Sequence, residues 1–254
     1  MSDLRVGTWN VQYGRGAEKN RARFDLLASW KADVWVLTET HDDLDLSGSH
    51  QGIHSGQRFS TPGGRWTTIW TSLPVIERLS TVDPGRCVAA RLDAGKAGEL
   101  VIYGTVLPWN GDTGPDETPS ARGWAEFRRV VPGQGQEWAS LQGRYPLATL
   151  VVAGDLNQDL GGPHYYGTKD CRALLNAQME KTGLTCLTTT DRFDQGVLEH
   201  PPIDHVCASP GRGRSFTTRV HGWNNIADGL RLSDHGGTLV NFEVNCSPRQ
   251  LAST

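Results

Sequence analysis

Short apolar segments that follow one another closely along the chain are the feature that most limits its fold. Runs with a period-two or continuously apolar pattern predict strands, because alternate side chains of an extended chain face one side of a sheet. The predicted strands are 4–11, 33–38, 65–71, 86–92, 99–107, 147–154, 202–208, 214–221 and 236–244. Helical periodicity fits 19–31, 120–130, 134–143 and 169–183, and Gly183 is the predicted stop of the last helix.

The order of these segments predicts a layered α/β (α+β) fold with sheets covered by helices. Strand 4–11, helix 19–31 and strand 33–38 form a βαβ pattern, whereas the later strands follow one another closely enough to be antiparallel. A chain of 254 residues is long enough to bury a large core. Since the sequence has no internal repeat and no low-complexity linker, we expect one domain over 1–246 and a C-terminal tail over 247–254.

Composition and charge exclude several classes of protein. A formal net charge of −3 excludes a globally basic nucleic-acid binder but not a local basic groove. No apolar run approaches the roughly 18 residues of a membrane helix, and the N-terminal sequence lacks a secretory pattern. The five cysteines contain no CxxC pair, which disfavours a zinc ribbon or a disulfide framework. We therefore expect a monomeric cytoplasmic protein without a membrane partner.

Oxygen-bearing side chains stand where a predicted strand ends. The segment ATLVVAGDLNQDLGG is apolar up to a glycine and then carries Asp155, Asn157 and Asp159 at alternate positions. In an extended chain Asp155 and Asn157 would project together from the strand end, where α/β proteins commonly bind ligands. The simpler interpretation is an Asx turn that ends the strand. Asp159 is interpreted as a loop cap rather than a ligand.

The pattern recurs at Asn10 in TWNV, Glu39 in VLTET, Asp204 in IDHV and the pair Asp234-His235 in SDH. Burying an unpaired carboxylate is costly, so several buried acids imply cations or hydrogen-bond donors that face them. Oxygen ligands without cysteine favour Mg²⁺ or Mn²⁺ over zinc. The sequence fits neither an EF-hand loop nor a P-loop nor the glycine-flanked serine of a nucleophile elbow.

The segments TWNV, VLTET, GDLN, IDHV and SDH occur in the order of the endonuclease/exonuclease/phosphatase superfamily, which the chain resembles over residues 4–244. That superfamily includes exonuclease III-like AP endonucleases, pancreatic-type deoxyribonucleases, poly(A) deadenylases, inositol-polyphosphate 5-phosphatases and sphingomyelinases. The resemblance implies a four-layer α/β sandwich in which two packed mixed β-sheets are flanked by helices. It also implies hydrolysis of phosphate esters by direct attack of water, with Mg²⁺ or Mn²⁺ as cofactor.

The resemblance implies a role for each residue near the metal and the water. Glu39 would be the main metal ligand, and Asp234 would add a second-shell contact or a contact to a second metal. Asn10 would support the metal or the phosphate through its amide. Asp155 would orient or deprotonate the attacking water, and Asn157 would hold a phosphate oxygen.

The resemblance also implies that His235 donates a hydrogen bond to a non-bridging phosphate oxygen as charge develops there. Asp204 would hold the other ring nitrogen of His235 and favour the imidazolium. The neighbouring His205 stands where the family usually has an aromatic residue, and its direction, toward substrate or solvent, is left open.

One segment departs from the pattern of the superfamily. Many relatives carry a Tyr or His at the end of the central strand, where VIYGTVLPWNGD places Thr105 or Val106. Tyr103 would replace that residue only in another strand register. The Tyr or His of many relatives makes an extra contact to the phosphate, which Asn110 could supply here. This difference weakens assignment to any one branch of the superfamily.

Basic and aromatic residues favour a polynucleotide as substrate. Two groups of arginines would track a phosphodiester backbone unless they are simply solvated: Arg122, Arg128, Arg129 and Arg144 in one, and Arg212, Arg214 and Arg219 in the other. Trp109 and Trp223 fall in predicted loops near the site, where stacking on an unpaired base is feasible. We therefore expect a metal-dependent nuclease or phosphodiesterase that cleaves DNA or RNA.

Two alternatives remain open at this point. The first is a phosphomonoesterase, or a phosphodiesterase of inositol or lipid headgroups, on the same scaffold. The second is a catalytically silent binding module, against which the complete set of motif residues argues.

Overall fold

Two six-stranded sheets and three helices make up the fold of the described chain. The computed structural model describes residues 2–56, 61–114, 123–162, 164–227 and 229–246. The helices are α1 (Ala17–Trp30), α2 (Ala125–Arg144) and α3 (Lys169–Lys181). The strands are β1 (Ser2–Asn10), β2 (Val34–His41), β3 (Gln51–His54), β4 (Gly64–Thr71), β5 (Val75–Leu79), β6 (Cys87–Asp93), β7 (Glu99–Val106), β8 (Thr149–Asp155), β9 (Thr185–Cys186), β10 (Asp204–Ser209), β11 (Arg214–Trp223), β12 (Ile226–Ala227), β13 (Leu230–Arg231) and β14 (Gly237–Cys246).

Both sheets are mixed. The first has the order β11-β14-β1-β2-β4-β3 and the second β5-β6-β7-β8-β10-β9, while β12 and β13 form a separate hairpin. The pairs β1–β2 and β7–β8 are parallel, whereas the other pairs of the described strands are antiparallel. The predicted βαβ unit is confirmed, since α1 connects the parallel strands β1 and β2.

Three apolar clusters hold four layers together. The first lies between the two sheets and includes Val36 and Val151. The second joins the second sheet to α2 and α3 through residues such as Phe127, and the third packs Leu27 of α1 against Trp35 of the first sheet. Each large buried apolar side chain contributes on the order of 1.5–3 kcal/mol to folding. The predicted four-layer α/β sandwich with two mixed sheets and flanking helices is confirmed.

The helix α2 differs from the sequence-based prediction. Separate helices were predicted over 120–130 and 134–143. Between them lies Pro132, which lacks an amide hydrogen and whose ring opposes the carbonyl four residues earlier. The structure instead has one helix that continues through Pro132, while the start of the first predicted helix lies outside the described residues. Phe127 and Trp138, on either side of the proline, are both fully buried against the second sheet. Their burial offsets the roughly 3 kcal/mol cost of an internal proline.

The strands that the sequence-based prediction missed are short. β3, β5 and β9 lie at sheet edges, and β12 and β13 form the small hairpin. Edge strands face solvent and pair on one side, so their sequences carry little of the apolar pattern that reveals a central strand. Gly183 follows α3 with φ of +61°, as its predicted role as a helix stop requires. Of the helices in the described ranges, none combines the length and the apolar character that crossing a bilayer requires.

Candidate active site

Asn10 joins the ends of strands from both sheets. It is the last residue of β1, while Glu39 belongs to the neighbouring strand β2 and Asp155 ends β8 in the other sheet. The amide nitrogen of Asn10 donates to Glu39 Oε1 at 3.0 Å and to Asp155 Oδ2 at 3.2 Å. Its amide oxygen accepts a hydrogen bond from the backbone N–H of Gln12 at 2.9 Å. One buried amide therefore holds two carboxylates beside each other across the gap between the sheets.

The backbone turns Glu39 out of the strand ladder. Glu39 has φ of +50°, a left-handed conformation that costs roughly 1–3 kcal/mol for a residue other than glycine. Its neighbours Thr38 and Thr40 pair with Thr67 and Arg65 of β4, whereas Glu39 has no partner in that register. Burial raises the pKa of Glu39, and the hydrogen bond from Asn10 partly offsets this effect. Such local strain at a half-buried acid is typical of a functional position.

Asp155 ends its strand in a tight turn. Gly154 precedes it where a Cβ atom would lie 1.9 Å from the carbonyl oxygen of Thr105, so only glycine fits. Asp155 Oδ1 accepts from the backbone N–H of Asn157 at 3.0 Å, which is an Asx turn, and Asn157 has φ of +51°. The expectation that these two side chains alternate along an extended strand is therefore wrong, because β8 ends at Asp155. Asn157 still lines the adjoining cleft, and its amide donates to Leu107 O at 2.8 Å.

The electrostatic environment of Asp155 disfavours its charged form. The residue is buried, and Asp204 lies directly opposite it in the antiparallel β8–β10 pair. Burial, followed by the negative charge of Asp204, raises the pKa of Asp155 to about 7. In the absence of a cation this carboxyl group therefore titrates near neutral pH.

Asp204 and His235 form a close pair. The Asp204 Oδ2 and His235 Nδ1 atoms are 2.5 Å apart, and only 2% of the Asp204 side chain is exposed. Burial alone would lower the pKa of His235, but the negative charge and hydrogen bond of Asp204 outweigh it and raise that pKa to about 10. The ring is therefore an imidazolium at neutral pH. Its Nε2 atom lies 3.9 Å from Oδ1 of Asp234, whose side chain is more than half exposed.

Ser233 and Trp9 fix the loop that carries His235. The Ser233 hydroxyl donates to the carbonyl oxygen of Asn10 at 2.6 Å and accepts from the backbone N–H of His235 at 3.1 Å. The Trp9 indole N–H donates to the His235 carbonyl oxygen at 2.9 Å. Sequence analysis did not assign a role to either residue. The available signal was their position inside the TWNV and SDH segments.

The donor set fits a divalent cation. Ligand atoms of Asp155, Asp204 and His235 all lie within 4.8 Å of one another, a spacing that could hold a metal ion. This group differs from the predicted ligand set of Glu39, Asp234 and Asn10. Because His235 is protonated and paired with Asp204, its nitrogen does not suit a cation, which needs a neutral imidazole. The two carboxylates on Asn10 do suit one, since burial raises the pKa of each and a nearby positive charge would favour their ionised forms.

Two clefts adjoin these residues. The first, here called the His235 cleft, has a volume of about 350 Å³ and is bordered by Asn157, Asp204, Asp234 and His235. The second, called the Arg15 cleft, has a volume of about 620 Å³ and lies beside Thr40, the neighbour of Glu39. It is lined by Gln12, Tyr13, Arg15, Lys19, His41, Thr61 and Gly64 as well. The charge of Glu39, followed by burial, raises the pKa of Tyr13, which places that tyrosine beside the site.

Comparison with known proteins identifies the family. The profile of the endonuclease/exonuclease/phosphatase family matches residues 7–235. The chain belongs to this family. None of the curated proteins matches the sequence significantly.

Solved structures share the fold at low sequence identity. The human Nocturnin catalytic domain has a TM-score of 0.69 at 15% identity, over 96% of this chain and 94% of that one. An AP endonuclease from Archaeoglobus fulgidus has a TM-score of 0.65 at 15% identity, over 94% and 99%. An endonuclease/exonuclease/phosphatase from Beutenbergia cavernae DSM 12333 has a TM-score of 0.64 at 17% identity, over 96% and 72%. Likeness at these identities establishes the fold and leaves the substrate open.

The position at which many family members carry Tyr or His is filled by buried residues here. Val106 lies beside Asp155 in the parallel β7–β8 pair, and Thr105 directs its hydroxyl to Gln134 of α2 at 3.1 Å. Tyr103 does not substitute, because it is buried and its hydroxyl donates to Glu137 of α2 at 2.6 Å. No residue of β7 therefore supplies the phosphate contact that many family members make at this strand end.

The loop that follows β7 is anchored by a buried ion pair. Arg86 is 1% exposed and bonds Asp112 of this loop, while Asp83 and Glu126 lie 3.5 Å from its guanidinium nitrogens. Asn110, the predicted alternative phosphate contact, is exposed in the same loop. The anchor fixes the loop whose Leu107 carbonyl holds Asn157.

The two tryptophans predicted near the site pack against other aromatic rings. Trp223 is buried and stacks on Trp30, with ring centroids 5.3 Å apart, so its predicted role in base stacking is wrong. Trp109 is half-buried and contacts Trp66 at 5.3 Å between centroids. His205 faces neither substrate nor solvent, since it is buried with Nε2 3.0 Å from Gln158 O.

Four arginines of the two predicted groups make contacts elsewhere in the fold. Arg128 bonds Asp170 at 2.6 Å, and Arg144 bonds Glu77 at 3.1 Å. Arg129 and Arg214 bond Glu126 and the Ala97 carbonyl oxygen, at 2.7 Å in each case. Arg122 lies outside the described residues. Arg15 and Lys19, which follow Asn10 in the chain, instead line the Arg15 cleft.

Proposed function

We propose that the protein is a divalent-cation-dependent phosphodiesterase that hydrolyses DNA or RNA by in-line attack of water. The observation that carries the proposal is the Asn10 amide, which holds Glu39 and Asp155 together beside the Asp204–His235 pair. Membership of a hydrolase family supports a phosphoester as substrate. We also propose that the protein is active as a monomer.

Glu39 and Asp234 would hold Mg²⁺ or Mn²⁺, with Asn10 as the residue that positions Glu39. When bound, the cation would neutralise charge on the phosphate oxygens. The half-buried Glu39 carboxylate supplies the hard oxygen that such a cation prefers. Asp234, whose charge adds to the effect of burial in raising the pKa of Glu39, is more than half exposed and would complete the ligand set from the solvent side.

Asp155 is suited to take a proton from the attacking water. A general base works best when its pKa lies near the working pH, and the pKa of Asp155 is raised to about 7. The water oxygen bonds to phosphorus, one bridging P–O bond breaks, the water proton passes to Asp155 and the departing alkoxide takes a proton from solvent. Asn157 uses one amide hydrogen on Leu107, so its second hydrogen is available to a phosphate oxygen.

His235 would stabilise the charge that develops on the phosphate. Asp204 occupies Nδ1, which leaves the protonated Nε2 to donate to a non-bridging oxygen. Because the pKa of His235 is raised to about 10, the ring carries this proton throughout the neutral range. A pre-oriented charged donor of this kind needs no reorganisation when the transition state forms.

A substrate panel tests the proposal. Single-stranded and duplex DNA, RNA, inositol phosphates and a generic phosphodiester would each be incubated with Mg²⁺, Mn²⁺ or EDTA. We expect hydrolysis of a polynucleotide that requires the cation, and a loss of about 10²–10⁴ in kcat for His235→Ala. The matched control is His50→Ala, because His50 bonds the Ala32 carbonyl oxygen away from the site. Hydrolysis in EDTA, or full activity of His235→Ala, would refute the mechanism, and cleavage of inositol phosphates alone would refute the substrate.

A further inference from the structure

A stacked aromatic pair forms part of the wall of the His235 cleft. The rings of Tyr165 and His200 are 4.8 Å apart between centroids and inclined by only 14°. They come from separate loops, one after β8 and one before β10, and both line the cleft that contains Asp204 and His235. Tyr165 is 48% exposed and the His200 side chain 53%, so the pair offers ring surface to a further planar group.

The Tyr165 loop is held in place by a buried charge. Asp159 is fully buried and accepts from the backbone N–H of Tyr165 at 2.6 Å. The same carboxylate is paired with Arg172 of α3. Gln158 accepts from the backbone N–H of Thr168 at 3.1 Å, which ties the other end of the loop to the start of α3. The ion pair between the buried Asp159 and Arg172 therefore fixes the backbone that carries Tyr165.

The size of the His235 cleft matches a small ligand. Its volume of about 350 Å³ lies near the lower end of the roughly 300–1,000 Å³ of small-molecule sites. Pro201, Pro202 and Ile203 add apolar surface to its lining. A single nucleoside, with one planar base and one sugar, has this combination of apolar and polar surface.

The charges of the two clefts differ. Among the described residues that line the His235 cleft, carboxylates come from Glu199, Asp204 and Asp234, and there is neither a lysine nor an arginine. The Arg15 cleft instead has Arg15 and Lys19. If a polynucleotide strand continued through the His235 cleft, the phosphates of its further nucleotides would lie against these carboxylates. The remainder of a strand is better matched to the Arg15 cleft, where basic side chains face its phosphates.

We propose that the His235 cleft binds the terminal nucleoside of a single strand, with its base stacked on the Tyr165–His200 pair, so that the protein removes one residue at a time from a chain end. This inference rests on the proposed phosphodiesterase function. The scissile phosphate then lies between the two clefts, beside Asp155 and His235, and the rest of the strand extends over Arg15 and Lys19. Duplex ends enter only after fraying, because a paired base cannot stack on the aromatic pair.

A comparison of linear and circular substrates tests this inference. A linear single-stranded oligonucleotide and a circle of the same sequence would be incubated with Mg²⁺ or Mn²⁺. We expect a ladder of products from the linear strand that differ by one residue, and an intact circle after the linear strand is consumed. Cutting of the circle at a comparable rate would overturn the inference while leaving the phosphodiesterase function in place. Hydrolysis of neither substrate would overturn the proposed function and this inference with it.

Variants of the aromatic pair provide the second test. Tyr165→Ala and His200→Ala should each raise KM for the linear strand by about 5- to 100-fold, the change that corresponds to the loss of one base-on-aromatic stack. Their kcat should stay close to that of the wild type, because neither side chain contacts the reacting phosphate. Tyr165→Phe keeps the ring and should restore the wild-type KM. Phe24→Ala, which removes an exposed ring from α1, is the matched control. An unchanged KM for Tyr165→Ala, or a Tyr165→Phe variant as poor as Tyr165→Ala, would refute the stacking role.

Discussion

Replacing Asp204 by Asn tests whether this carboxylate sets the protonation of His235. The change keeps the size of the side chain but removes the charge that raises the pKa of His235 to about 10, roughly 3.5 units above its usual value. At about 1.36 kcal/mol per unit, the protein favours the imidazolium by roughly 5 kcal/mol. Without Asp204, burial again lowers the pKa, and we expect it near or below 6.5.

The expected consequence is a rate loss that depends on pH. At pH 8 the ring of the Asp204→Asn variant is mostly neutral, so the charged donor to the phosphate is missing and its orientation is lost. In Ser-His-Asp hydrolases the equivalent change lowers kcat about 10⁴-fold, and we expect a loss of about 10²–10⁴ here, equivalent to roughly 3–5 kcal/mol in the barrier. Relative to the wild type at the same pH, the variant should recover part of its activity as the pH falls toward 6, because its histidine regains the proton.

A pH–rate profile between pH 5 and 9, combined with an NMR titration of the histidine ring, provides the measurement. Asp25→Asn is the control, since it removes an exposed acid from α1. Thermal unfolding would show that Asp204→Asn is folded. An unchanged kcat at pH 8, or a His235 pKa that stays near 10 in the variant, would refute the reasoning.

Further predictions follow from the same charges. Glu39→Gln should weaken Mg²⁺ or Mn²⁺ binding at least tenfold in calorimetry, because the amide lacks the anionic oxygen that holds a hard cation. In the wild type, cation affinity should fall as the pH drops below 7, because a nearby cation binds best while Asp155, whose pKa is about 7, is ionised. The raised pKa of His235 stabilises the fold fully below its unfolded pKa, so the stability advantage of the wild type over Asp204→Asn should shrink as pH rises from about 6.5 to about 10. Arg86→Met should lower the free energy of unfolding by about 3–5 kcal/mol in urea titrations, because it removes the buried guanidinium that pairs with the buried Asp112.

Each of these predictions has a control. Glu18→Gln, in the first turn of α1, should leave cation affinity unchanged; equal losses in both variants would argue against Glu39 as the ligand. A cation affinity that is flat between pH 5 and 7 would contradict the dependence on ionised Asp155. Arg128→Met removes an exposed pair and should cost little. A similar loss of stability in both arginine variants would show that the buried charge of Arg86 is not what matters.

Much of the fold was predictable from local patterns. The long strands alternate or are continuously apolar because they lie in sheet interiors, and the resemblance to the superfamily implied that Glu39 and Asp155 converge. The continuous helix α2 was not predictable, because the packing that offsets Pro132 depends on a sheet distant in sequence. Trp223 likewise looked accessible near the SDH segment, but it packs into a ring cluster with residues from β1 and α1.

The residues of the site could be predicted from the sequence, but their geometry could not. The segment GDLN indicated both a strand end and an Asx turn, and the structure contains the turn, which removes Asn157 from the strand. The left-handed backbone conformation of Glu39 cannot be predicted from the sequence, because strain of this kind is imposed by surrounding contacts. The Tyr165–His200 pair was invisible for a similar reason, since it joins loops separated by α3 and β9.

The contacts that assemble the site run from one sheet to the other. Asn10 reaches Asp155, and His235 reaches Asp204, across an interface that is otherwise filled by apolar side chains such as Val36 and Val151. Neither half of the sandwich carries a complete site. The catalytic rate should therefore depend strongly on how the two sheets are aligned. A conservative core substitution that shifts one sheet against the other by a fraction of an ångström should lower kcat before it lowers the melting temperature.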